Sequence, residues 1–210
     1  MKKLLIPLFS LFLLSSSSVF ADDISDFQIE GISIGDSLLD YMTEEEILKE
    51  IEENKEMYFF LKEPMKYKTA FLFENLKVYD SLAFHLKING TNKYISNKSK
   101  NEKYEILSVN GSIEFIEDFD GCSKERDVIA EVFSEMFPDA QKFEQIKASD
   151  AEPSGNSVLD FVYFDFDSGA RITAYCNDYE ETWRLKQNYT EGLSVNIQSK
   201  EIVNWLTNTK

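Results

Sequence analysis

The chain has 210 residues, and 43% of them are hydrophobic, so the composition argues against wholesale disorder and favours one domain or two small ones. Its formal net charge is −16. A field of that sign repels phosphate backbones and anionic lipid headgroups, which argues against nucleic acid or a membrane surface as partner.

The first 21 residues have the pattern of a cleavable secretory signal peptide. Lys2 and Lys3 precede a short apolar run over residues 4–14, and the segment ends in Val19-Phe20-Ala21. The run is too short for a transmembrane helix, which needs about 20 apolar residues. We therefore expect cleavage near Ala21, delivery to the periplasm (or secretion), and no membrane insertion afterwards.

The N-terminal part of the mature chain combines a short strand with helix-capping signals. Phe27–Glu30 alternates apolar and polar residues, which predicts a strand. Ser37 is a good N-cap for a short helix, and Thr43 with Glu46 three residues later forms a capping box that predicts a second helix.

Extended patterns dominate the next part of the chain. Residues 67–73 and 81–88 are predicted strands, and residues 89–103 form a polar loop between strands. Residues 104–116 are extended again. Within them, Asn110-Gly111 is consistent either with a hairpin turn or with a bulge in one long strand.

The longest predicted helix follows, with Ser123 as its expected N-cap and Pro138 as its stop. Its apolar residues recur at helical spacing: Val128, Ile129, Val132, Phe133, Met136 and Phe137. We expect a loop from there through Gly155.

The C-terminal part predicts a hairpin, a last strand and a last helix. Residues 158–166 and 170–176 alternate on either side of the turn Asp167-Ser168-Gly169. A strand over residues 193–197 and a terminal helix capped by Ser199 complete the chain. We expect residues 22–210 to form a single α+β domain, with residues 22–66 as a possible N-terminal subdomain.

The two cysteines bear on this architecture. Cys122 precedes the long helix, and Cys176 lies on the inward face of a predicted strand. In an oxidising compartment such a pair favours a disulfide over free thiols. Two thiols and the one histidine leave a tetrahedral metal site short of a ligand. The fold class predicted is therefore α+β, an antiparallel β-sheet covered on one side by helices and tied to one helix by this bond.

One motif suggests a hydrolase and fails in its context. Residues 31–35 match the G-x-S-x-G pattern of a nucleophile elbow, but too little chain precedes them to build a central parallel strand. The only possible base is His85, on the polar face of its predicted strand. We predict no catalytic residue here and instead an interaction turn, with these members: Gly31, Ser33, Gly35, Asp36 and Ser37.

No metal or cofactor is predicted. Asp165-Phe166-Asp167-Ser168-Gly169 departs from a calcium loop at its fifth and sixth positions and is better explained as the hairpin turn. Weak calcium binding by an acidic cluster is the alternative, with these candidate ligands: Glu114, Glu117, Asp118 and Asp120.

Several short motifs resemble a family of uncharacterised small exported proteins of marine bacteria. They include the G-x-S-x-G-D-S-L-L opening at residues 31–39, Tyr79-Asp80-Ser81, Gly155-Asn156-Ser157 and Cys176-Asn177-Asp178. The resemblance implies a signal peptide and paired cysteines, without an activity. The opening is also similar to that of small helix-on-sheet outer-membrane assembly lipoproteins, although this chain lacks their lipidated cysteine.

Two functional classes follow from these observations. The preferred hypothesis is a non-enzymatic periplasmic binding or protein-interaction domain, with an envelope protein or a small ligand as its partner. It would use the open sheet face or the turn at residues 31–41. The alternative is a carboxylate-dependent hydrolase acting on envelope glycans or a cationic substrate, which requires two facing acids with one pKa raised.

Overall fold

The structure, a computed structural model, describes residues 24, 27–88, 94–95, 100–101, 103–149, 152–187 and 189–208, which form an α+β fold as expected. The predicted signal peptide lies outside these residues. The helices are α1 (Glu44–Glu53), α2 (Phe119–Met136), α3 (Glu181–Gln187) and α4 (Lys200–Leu206), with a 3-10 turn at Leu38–Asp40. The strands are β1 (Lys68–Leu72), β2 (Ser81–Lys87), β3 (Tyr94–Ile95), β4 (Lys100–Asn101), β5 (Glu105–Glu114), β6 (Gln141–Ala148), β7 (Val158–Asp165), β8 (Arg171–Asp178) and β9 (Gly192–Gln198).

Seven of these strands form one antiparallel sheet in the order β1-β2-β5-β9-β8-β7-β6, and β3 pairs only with β4. Strands β1, β2 and β5 follow one another across one half of the sheet. Helix α2 then carries the chain to the far edge, from which β6, β7, β8 and β9 return to the centre. β5 and β9 are therefore neighbours in the middle of the sheet, although α2, β6, β7, β8 and α3 lie between them in sequence.

Helix α2 covers one face of this sheet over β7, β8 and β9. Its buried residues Ile129, Ala130 and Phe133 pack on strand residues that alternate toward it, and the ring of Phe133 meets that of Phe164 at 5.9 Å. The N-terminal segment joins the same core through Phe27, whose ring lies 5.4 Å from Phe133.

Coverage by helices on one side alone is not confirmed, because α4 packs against the opposite face. A β-bulge in β5 adds Leu107 opposite the step between His85 and Leu86 in β2. Leu107 and His85 thereby face a second, smaller cluster, in which Trp205 of α4 contacts the His85 ring at a centroid distance of 5.4 Å.

The two edges of the sheet differ. Helix α1 lies along β1, and the Phe71 N–H of that strand donates to Glu50 Oε2 at 3.2 Å. At the other edge, β6 pairs with β7 over all eight residues, and seven of those eight are exposed. Among the described residues no strand pairs with its outer side.

Several local predictions need correction. Helix α2 begins at Phe119 rather than after Ser123, because Asp118 is the N-cap and accepts the Gly121 N–H at 3.0 Å. The segment expected to be a loop after Pro138 contains β6, and α3 was not foreseen.

Two predicted β features also differ. β5 is one continuous strand through Asn110 and Gly111, so those residues form no hairpin turn, and its bulge lies at Leu107 instead. Gly111 allows close approach of Tyr79, since a Cβ there would lie 2.5 Å from that ring. The strand expected over Phe27–Glu30 is only an isolated bridge between Ile29 and Ile32.

Candidate functional site

The predicted disulfide between Cys122 and Cys176 is present, with a Cα–Cα distance of 6.0 Å. It joins the first turn of α2 to β8, the strand that α2 covers most extensively. Both cysteines are buried, at 1% and 0% exposure. The bond ties helix to sheet and offers no thiol for chemistry.

A buried ion pair lies one helical turn further along α2. Arg126 Nη2 lies 2.9 Å from Asp160 Oδ1 and 3.0 Å from Oδ2, and the Asp160 side chain is 1% exposed. Asp160 is the cross-strand partner of Cys176. The disulfide and the ion pair therefore fix the same face of α2 to neighbouring positions on β8 and β7.

The predicted interaction turn uses its polar groups within the fold. Gly31 and Gly35 both have positive φ, 83° and 87°, which explains glycine at these positions. Asp36 Oδ2 accepts the Ser33 N–H at 2.9 Å, and the Ser37 hydroxyl donates to the Lys103 carbonyl at 2.8 Å. The first of these hydrogen bonds closes the turn on itself, and the second attaches it to the residues just before β5.

His85 does not serve Ser33; it belongs to the cluster under α4. Its Nδ1 lies 2.6 Å from Ser108 Oγ, and its Nε2 lies 2.8 Å from the Tyr58 hydroxyl. Burial lowers the pKa of His85 to about 4, so the ring is neutral at pH 7. Ser108 is 0% exposed, so no substrate reaches this serine–histidine contact, and a structural role follows.

The sheet face on the side away from α2 carries two rows of uncharged residues that cross the strands, here called the uncharged face. The first row, in strand order, is Phe71, Ala83, Asn110, Asn196, Thr173, Tyr163 and Phe143. The second row is Ser81, Ser112, Ser194, Tyr175, Phe161 and Gln145. All but Ser194 retain partial or full exposure to solvent.

Aromatic rings occupy the β6–β7 end of the uncharged face. Phe143 and Tyr163 are stacked at a centroid distance of 5.1 Å, and Phe161 and Tyr163 at 6.0 Å. Arg171 lies 4.0 Å above the Tyr163 ring, while its guanidinium forms two hydrogen bonds with Asp165. The rings therefore have fixed orientations, and the nearest cation is neutralised.

Hydroxyl and amide groups occupy the centre of the uncharged face. Asn110 Nδ2 donates to Ser112 Oγ at 3.1 Å, and Ser112 Oγ lies 3.0 Å from Ser194 Oγ. The amide oxygens of Asn110 and Asn196, which are cross-strand partners, are shielded from solvent and accept no hydrogen bond among the described residues. An unsatisfied buried acceptor costs free energy, and because neither oxygen is open to solvent, a bound molecule would contact these two partly exposed residues through their other atoms.

Two carboxylates lie near one another at the end of β8. Burial, and then the charge of Glu191, raise the pKa of Asp178. Glu191 is itself held by Arg184 at 3.3 Å and accepts the Glu117 and Tyr179 N–H groups at 3.3 Å each. These contacts connect Glu191 to Arg184 and to two loop N–H groups, so its carboxylate has a structural role.

The part of the chain that the structure describes has neither a metal-binding cluster nor a membrane-spanning helix. It contains no group of three histidine, cysteine, aspartate or glutamate side chains arranged to hold a metal ion. The acidic cluster proposed for calcium includes Asp118, whose carboxylate is the N-cap of α2. No described helix combines the length and apolar character needed to cross a membrane.

The uncharged face could not be identified residue by residue from sequence. The β7–β8 hairpin was foreseen, and with it the alternation that turns Tyr163 and Thr173 to one side. Asn110 and Asn196 are far apart in sequence and meet only because β9 returns beside β5.

Comparison with known proteins gives no match to this chain, whether with family models, curated proteins or solved structures. The resemblance to small exported proteins of marine bacteria therefore stays a prediction, and the site must be interpreted from its own geometry.

Proposed function

We propose that this chain is a non-enzymatic binding domain of the bacterial periplasm, and that its uncharged face holds an uncharged, hydroxyl-rich ligand, of which a neutral oligosaccharide is the simplest example. The observation that carries the proposal is the absence of charge from both rows of this face in a chain whose net charge is −16. Two rows of uncharged, mostly half-exposed side chains on so acidic a chain support a contact surface at this face.

The chemistry of the face matches such a ligand. The aromatic rings of Phe143, Phe161 and Tyr163 offer apolar contact area, and the hydroxyls and amides at the centre offer directional hydrogen bonds. Ser112, Thr173 and Tyr163 are partly exposed, and their hydroxyls can both donate hydrogen bonds to sugar hydroxyls and accept from them. An anionic ligand would have to approach against the net charge of the whole chain.

The periplasmic location rests on two features. The N-terminal sequence has the pattern of a secretory signal, and the Cys122–Cys176 bond is of the kind that persists in oxidising compartments.

The test is calorimetric titration of the purified protein with a panel of neutral and anionic oligosaccharides. We expect binding by at least one neutral member and none by its anionic counterparts. Asn196→Asp, which places a charge in the middle of the face, should weaken binding at least tenfold. The matched control Asn204→Asp, on the exposed side of α4, should leave affinity unchanged. The proposal would be contradicted if no neutral saccharide binds, or if the two substitutions weaken binding equally.

A second candidate function, the carboxylate-dependent hydrolase, is favoured by one observation, the raised pKa of Asp178 beside Glu191. If the chain is such a hydrolase, the parent protein releases reducing ends from envelope glycan and Asp178→Asn abolishes this release. If the chain only binds glycan, neither protein releases reducing ends.

A further inference from the structure

Strand β6 is a long, regular edge of the sheet, and none of the described strands pairs with its outer side. Its eight residues all pair with β7, and Phe143 and Ile146 are 45% and 64% exposed. An edge of this kind carries a row of N–H and C=O groups that can pair with another strand. The opposite edge differs, because α1 and the Glu50 carboxylate cover β1.

The sequence of β6 is complementary to itself about Phe143. When two copies run antiparallel with Phe143 opposite Phe143, each Lys142 lies opposite a Glu144, and each Gln141 lies opposite a Gln145. Opposite charges at directly facing positions stabilise a strand pair, and like charges destabilise it. This register makes two such Lys–Glu pairs and leaves both outer pairs neutral.

We propose that β6 pairs with β6 of a second copy of this chain in this register, forming a dimer with one continuous sheet. Within each chain Lys142 Nζ already lies 3.1 Å from Glu144 Oε2. Both side chains therefore point to the same side of the strand, and pairing across the interface leaves neither charge unmatched.

The two-fold registers centred on Glu144 or Gln145 are less favourable. A two-fold axis perpendicular to the sheet keeps each face on the same side in both copies. The axis must therefore lie midway between the two copies of one residue, which face each other across it. Centred on Glu144, the pairing places that glutamate opposite itself. Centred on Gln145, it places Phe143 opposite Lys147 and Glu144 opposite Ile146. The register through Phe143 avoids these mismatches.

The proposed dimer joins the two uncharged faces side by side. Phe143 ends the first row of each face, so the aromatic rings of the two copies meet at the axis. The dimer does not depend on the ligand proposed above, because the contacts that form it are strand backbone, charge pairs and Phe143.

The first test measures the dimer by sedimentation equilibrium over a range of protein concentrations. Lys142→Glu places glutamates opposite each other twice and should raise the dissociation constant at least roughly tenfold. The double variant Lys142→Glu/Glu144→Lys restores both opposite-charge pairs and should recover the dimer. A monomer at all concentrations, or a dimer that is insensitive to Lys142→Glu, would overturn the proposal.

The second test fixes the register through mild oxidation of single-cysteine additions. In the proposed pairing Phe143→Cys places two thiols directly opposite, at a Cα separation of about 5 Å that suits a disulfide. Gln145→Cys is the matched control, because its two copies lie about 13 Å apart along the strands. Rapid cross-linking of the Phe143→Cys variant alone is expected. Preferential cross-linking of the Gln145→Cys variant, or of neither, would refute the register.

Discussion

The two faces of the seven-stranded sheet differ in polarity and in exposure to solvent. The face under α2 is apolar and is fixed to the helix by the Cys122–Cys176 bond and the Arg126–Asp160 pair. The uncharged face is partly open to solvent, and its two central amide oxygens have no partner among the described residues. The main core therefore lies on one side of the sheet, and the binding surface that we propose lies on the other. Substitutions under α2 should therefore lower the free energy of unfolding, whereas substitutions on the uncharged face should lower ligand affinity.

The largest effect on stability is expected from removal of the disulfide. Cys122→Ala/Cys176→Ala frees a loop of 54 residues in the unfolded chain, and on the chain-entropy account it should lower the free energy of unfolding by about 4 kcal/mol. Urea unfolding monitored by circular dichroism measures this change. A loss below about 1 kcal/mol would mean that α2 holds to the sheet without the bond.

The next effect comes from the buried ion pair. Arg126→Met leaves the Asp160 carboxylate buried without its partner and should cost roughly 3 kcal/mol in the free energy of unfolding. The control Arg126→Met/Asp160→Leu removes both buried charges and leaves only the exposed carboxylates of Asp127 and Glu144 nearby, so most of that stability should return. If the double variant is as unstable as the single one, packing rather than charge accounts for the role of Arg126.

Acid should destabilise the smaller cluster under α4 through His85. Its pKa is lowered from 6.5 to about 4 in the folded chain because the ring is buried. The unfolded chain therefore binds the proton first, and the free energy of unfolding should fall by up to about 3 kcal/mol as the pH drops from 6.5 to 4. His85→Gln removes this contribution. If the free energy of unfolding of the parent protein and of His85→Gln falls equally between pH 6.5 and 4, His85 is not the group responsible.

The smallest effect on stability is expected on the uncharged face. Asn196→Leu replaces an amide with a side chain of similar shape. Because the amide oxygen accepts no hydrogen bond from the residues that the structure describes, the free energy of unfolding should change by less than about 0.5 kcal/mol. Ligand affinity should nevertheless fall at least tenfold. A variant that loses stability but keeps its affinity would reverse the roles assigned to the two faces.

Sequence patterns predicted the buried parts of the fold well and the exposed parts poorly. The apolar spacing of α2 and the alternation of β7 and β8 identify those elements because each has one buried face. Strand β6 has no such pattern, since Phe143 and Ile146 point to opposite sides and both are exposed. Helix α3 has no buried residue, so apolar spacing could not predict it.

The candidate site was predicted only in outline. An open sheet face was expected, but its composition depends on which strands are neighbours, and strand order comes from the return of β9 beside β5. The turn at residues 31–37 was visible as a motif. Only the structure shows that Asp36 and Ser37 hydrogen-bond within the fold.

The most direct measurement is an NMR titration of the protein with a neutral oligosaccharide that binds in the calorimetric panel. The account predicts that the largest shift changes fall on Asn110, Asn196 and Tyr163 of the uncharged face. Changes confined to the turn at residues 31–37, or to Asp178 and Glu191, would contradict it, because the ligand would then occupy a surface other than the uncharged face.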